Sequence, residues 1–110
     1  MIDWTRVSDL KAEIGDDGFV ELAALFLEET DEVADRLATR PQSADLGRDM
    51  HFLKGSALNL GFSDLASMCQ DAERRAAQSE GHLIDLGQIL ACYRLSKTAF
   101  LEGLGRQTAA

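Results

Sequence analysis

Apolar side chains return every three or four residues along most of this chain, and the longest such series runs Phe19, Leu22, Ala23, Phe26, Thr30, Val33, Ala34 and Leu37. That period predicts a long amphipathic helix. Its other side carries Glu21, Glu28, Glu29, Asp31, Glu32 and Asp35, a pattern that reads as a solvated acidic face. A shorter series precedes it. Trp4, Val7, Leu10 and Ile14 mark one side of a short helix that Asp3 can cap and Gly15 can stop, placed to lid whatever lies beneath. Asp16-Asp17-Gly18 then opens the long helix.

The pattern breaks at Thr39-Arg40-Pro41-Gln42-Ser43, because proline holds its predecessor away from helical geometry, and Ser43 is a good cap for the next helix. There Leu46, Met50, Leu53, Ala57 and Leu60 follow at spacings of four, three, four and three, a core stripe. Gly61 can take the left-handed conformation that ends a helix, and Ser63 can cap the one after. Leu65, Met68, Cys69, Ala72 and Ala76 form the next stripe, with Glu73, Arg74 and Arg75 turned outward, and Gln78-Ser79-Glu80-Gly81-His82 closes it. Leu86, Ile89, Leu90, Tyr93, Lys97, Phe100 and Leu104 form the last, fraying at Gly103-Leu104-Gly105. With short connections, this predicts an all-α protein: one antiparallel up-down four-helix bundle over residues 1–110, with a short extra N-terminal helix.

Composition narrows the function. A chain of 110 residues, 45% apolar, supports one core and no second catalytic domain. The formal net charge of −8 and the absence of a basic stripe argue against nucleic-acid binding. Met1-Ile2-Asp3-Trp4 has no positive leader, and no stretch approaches a membrane span, which predicts a cytoplasmic protein with no membrane partner. Cys69 and Cys92 are widely spaced among apolar neighbours, so both are expected to be buried, and no metal site is expected.

The candidate chemistry is concentrated in His51-Phe52-Leu53-Lys54-Gly55-Ser56-Ala57-Leu58-Asn59-Leu60-Gly61. At about 100° per residue, His51 lies about 140° from the centre of its helix's core stripe and should face solvent, with Lys54 and Gly55 beside it one turn on. Gly47 and Gly55 flank the ring by one turn on each side, and each costs the helix up to about 1 kcal/mol relative to alanine. That cost makes sense if a partner must come close. Leu58, only about 20° off the histidine's direction, and Arg48 on the flank are candidate docking contacts. His82, beside Gly81, is expected to be inert.

This run resembles the signature of histidine-containing phosphotransfer (HPt) domains, roughly His-x-x-Lys-Gly-Ser/Ala-Ser/Ala-x-x-Leu-Gly, and the likeness extends over nearly the whole chain. The resemblance implies that His51 accepts a phosphoryl group on Nε2, that Lys54 steadies its charge and that Gly55 clears the approach. It also implies a polar neighbour for the ring from the following helix, for which Gln70 and Glu73 are available, although an acid suits a phosphate less well. A neutral imidazole has the lone pair this needs, and a nearby cation steadies the product's charge. The chain lacks the nucleotide loops of a kinase, so an ATP-dependent enzyme is not expected. The partners implied are response-regulator receiver domains, one of which supplies Mg2+ and a phospho-aspartate, and a (hybrid) histidine kinase; the chain itself is expected to bind no cofactor. A monomer is expected, since the outward positions of all four stripes are polar. An adaptor bundle that binds without transferring phosphate is the alternative reading, and the phosphoacceptor region of a kinase is disfavoured because Phe52 follows His51 where an acid would stand.

Overall fold

A computed structural model of the protein describes residues 1–41 and 45–109, with side chains described as far as Arg106. Four α-helices account for most of it: α1 (Trp4–Thr39), α2 (Leu46–Leu60), α3 (Ser63–Ala77) and α4 (Leu86–Ala109), with a short 3₁₀ turn at Gly81–Leu83. Each helix packs on its chain neighbours, and α4 returns to α1. The pairings run in opposite senses. Going down α1 and up α4, Asp31 meets Lys97, Phe19 meets Phe100 and Trp4 meets Phe100. The result is the antiparallel all-α bundle that the periodicity predicts.

α1 is two helices in series. Gly15 sits at φ 80°, ψ 165°, outside helical space, and divides an N-terminal arm from the long segment that follows. Asp3 caps the arm, accepting from the Arg6 amide. The arm closes the end of the core: Val7 and Leu10 are buried, and Trp4 stacks over Phe100 and covers Gly103 so closely that no β-carbon fits there. That contact corrects one expectation. Far from fraying at Gly103, α4 continues to Ala109, because Gly103 is the contact point for the arm.

The core is built from the stripes read in the sequence. Phe19, Leu37, Met50, Leu53, Leu60, Leu65 and Phe100 are essentially inaccessible, and Phe62, Tyr93, Phe19 and Phe100 form a tilted aromatic cluster at one end. Several polar assignments change. Asp31, expected to point outward, accepts from the Tyr93 hydroxyl at 2.5 Å and pairs with Lys97 at 2.6 Å, tying α1 to α4. Burial and the Asp31 carboxylate together push the Tyr93 phenol far above its ordinary range. Ser63 is the first residue of α3 rather than its cap, and its hydroxyl donates to the Met1 carbonyl. Ser43 lies outside the described residues; the amide of Arg48 is taken by Asp45, which caps α2. Cys69 is buried as expected, its thiol pushed up to about 12 by burial, whereas Cys92 is only partly covered.

Candidate functional site

α2 presents two faces. Met50, Leu53, Ala57 and Leu60 enter the core, and His51 stands on the other side with 71% of its side chain exposed. The helix is anchored at its first turn by a charged residue inside its own apolar stripe. Asp49, buried to 3%, receives both guanidinium nitrogens of Arg36, at 2.9 and 3.0 Å, joining α1 to α2 two residues from the histidine. Sequence reading missed this pair. The available signal was position: Asp49 lies three residues after Leu46 and four before Leu53, on the inward face, where a carboxylate requires a partner.

The imidazole is not left alone. Its Nδ1 lies 3.0 Å from Glu73 Oε1, and the Lys54 ammonium lies 2.9 Å from Glu73 Oε2. Glu73 comes from the C-terminal half of α3, so one carboxylate bridges the ring and the lysine across the α2–α3 pair. The outward placement expected of Glu73 therefore holds only in part, and of the two candidates for the ring's neighbour the structure brings Glu73, while Gln70 is exposed. Oε2 is shielded from water, and the Lys54 ammonium at 2.9 Å is its close partner. Lys54, then His51, hold the Glu73 carboxyl below the usual glutamate range against the opposing effect of its surroundings.

This arrangement settles the proton on the ring. A carboxylate can only accept, so the proton between His51 and Glu73 is assigned to Nδ1, and in the neutral ring that tautomer carries its lone pair on Nε2. Around the ring, a β-carbon on Gly55 would meet nothing within 4 Å, so that flank is open. Gly47 is different, because a β-carbon there would reach ordinary contact with Asp45 and Ala76. Leu58 is 57% exposed, and Arg48 is exposed. Asn59 accepts from Arg6 and donates to the Gly55 carbonyl, which links the N-terminal arm to the backbone of the site helix. Gly61 takes the left-handed geometry, φ 77°, and ends α2. His82 is exposed in the 3₁₀ turn, away from these contacts.

Among the described residues there is no group of metal-ligating side chains and no helix long and apolar enough to cross a membrane. The Hpt domain family model matches residues 21–101. The chain belongs to the Hpt domain family. An Hpt domain is a phosphocarrier module of phosphorelays rather than a kinase, and the match spans the long segment of α1 through most of α4. The N-terminal arm of this Hpt domain falls outside the matched region, although it packs on the turn that ends the histidine helix. No curated protein and no solved structure matches the chain individually.

Proposed function

We propose that this protein carries a phosphoryl group on His51 Nε2, accepting it from the aspartate of a receiver domain, or from a kinase, and returning it to the aspartate of another receiver. The observation that carries the reading is the state of one ring: Nδ1 is occupied by Glu73, while 71% of the side chain stays exposed. The attacking lone pair is therefore already oriented and costs no rearrangement. Lys54, 24% exposed and at the edge of the site, is the cation that steadies the phosphoryl oxygens. Gly55 admits the partner's loops to the ring, and Leu58, with Arg48 and Gly47 on the flank, supplies the surrounding contact.

The ring is too exposed to exclude water by itself, so the receiver supplies the closed environment together with its Mg2+ and the in-line carboxylate. The domain acts in the cytoplasm as a monomer. The test is transfer from a panel of phosphorylated receivers, read by intact mass and acid lability. An acid-labile gain of one phosphoryl group on the wild type, absent from His51→Gln and slowed about tenfold or more in Lys54→Ala, supports the carrier. Equal labelling of His51→Gln refutes it. Binding that survives His51→Gln with no label on the wild type would make the chain an adaptor.

A further inference from the structure

The Glu73 bridge implies more than an oriented acceptor. We propose that Glu73 keeps the Nδ1 proton on His51 through both halves of the phosphoryl cycle, so that the phosphorylated ring is a ready donor rather than a store. The proposal rests on the carrier reading above, and it assigns a positioning residue to that site.

The proton count is the core of the argument. On acceptance, the Nε2 lone pair forms the P–N bond while the P–O bond to the donor breaks, and that electron pair leaves with the donor's carboxylate. The ring still holds its Nδ1 proton, so it is now an imidazolium, and its positive charge faces the Glu73 carboxylate at 3.0 Å. On departure, a receiver carboxylate oxygen forms a new P–O bond, and the P–N electron pair returns to Nε2. The ring leaves as neutral imidazole. No proton is gained or lost in either direction. Without the carboxylate, the phosphorylated ring can release its Nδ1 proton to water, and phosphorus would then have to part from an anionic ring, a much poorer leaving group.

The other charges nearby fit this role. From α2 the ring has Lys54, which is bound to Glu73 and keeps it ionised; from α3 it has Glu73, while Arg74 and Arg75 are both committed to Asp71. A glutamine in place of Glu73 would still orient the ring but would not hold the proton by charge, which separates positioning from mere packing.

The experiment needs no receiver. The protein is phosphorylated with phosphoramidate, excess donor is removed, and the decay of the phosphohistidine is followed by intact mass between pH 5 and pH 9 for wild type, Glu73→Gln, Glu73→Asp and His51→Gln. Circular dichroism confirms that each is folded. The expected result is a phosphohistidine in Glu73→Gln that lasts roughly three- to thirtyfold longer at pH 8 and converges with wild type at pH 5, where water supplies the proton. Glu73→Asp, with its carboxylate one methylene further back, should lengthen the lifetime less, and it carries the comparison if Glu73→Gln is misfolded or unlabelled. Lifetimes that match wild type at every pH, or shorter ones, overturn the proposal and leave the carrier reading intact. A wild-type label no greater than that of His51→Gln overturns both.

Discussion

The carbonyl oxygen of Asp3 stands 2.6 Å from the place a β-carbon on Gly61 would occupy. The Asp3 amide donates to the Gly61 carbonyl at 2.7 Å, so the chain entering the N-terminal arm is laid directly on the turn that ends the histidine helix. Gly61 is thus required twice, for its left-handed φ of 77° and for this close approach of backbone. Gly61→Ala should destabilise the fold by more than about 2 kcal/mol, the cost of left-handed strain plus displacement of the Asp3 backbone. Urea unfolding checks it, and a loss under about 0.5 kcal/mol would show that the arm is not held there.

Gly55 should behave in the opposite way. A β-carbon there touches nothing within 4 Å, and the residue sits inside a helix. Gly55→Ala should raise stability by about 0.5–1 kcal/mol, while slowing transfer from a phosphorylated receiver, because the open flank of His51 is partly filled. Paired denaturation and transfer assays on the same variant read both signs.

Arg36 and Asp49 form the inward clamp on α2, with Asp49 buried and Arg36 at the edge. Arg36→Met leaves a buried carboxylate without its cation, and the thermal midpoint should fall by on the order of 10 °C. Replacing both, as Arg36→Met with Asp49→Leu, should recover most of that loss, since the price of desolvating the pair is removed along with its attraction. A double-variant cycle measured by thermal unfolding decides the matter.

Acid should loosen the site before it unfolds the bundle. Lys54 first and His51 second hold Glu73 below the ordinary glutamate range, so its contribution to stability is complete above that range and disappears as pH falls through its depressed value. The difference in thermal midpoint between wild type and Glu73→Gln should therefore be constant above the ordinary glutamate range and narrow progressively as pH falls through that range toward the depressed value. A difference that does not narrow at all on acidification would mean that the carboxylate's charge is not what stabilises the pair.

How much of this was legible in the sequence depended on whether a residue's role is set by its own helix or by another. His51 and the stripe from Met50 to Leu60 were readable because both follow from one helix's periodicity, and the Gly61 stop was readable because one residue's backbone decides it. Asp31 and Asp49 were not, Glu73 was named beside Gln70 only through the family resemblance, and the contact made by Asn59 was not. Each is a polar residue whose partner comes from a different helix: Tyr93 and Lys97, Arg36, His51 with Lys54, and Arg6. A helical wheel gives direction but not what stands opposite, so it could turn Glu73 toward solvent without revealing that α2 shares that space. Gly103 failed for the same reason. Two glycines near a terminus suggest fraying, and only the arrival of Trp4 shows that one of them is a seat.

His51 is mounted midway along α2, with helical turns on both sides and a clamp beneath, rather than on a loop. A side chain fixed in this way cannot swing toward a target or fold a cover over itself. On the carrier reading proposed above, every movement needed to shut out water then comes from the other molecule, so a single unchanging surface can serve a succession of partners, each of which brings its own closure.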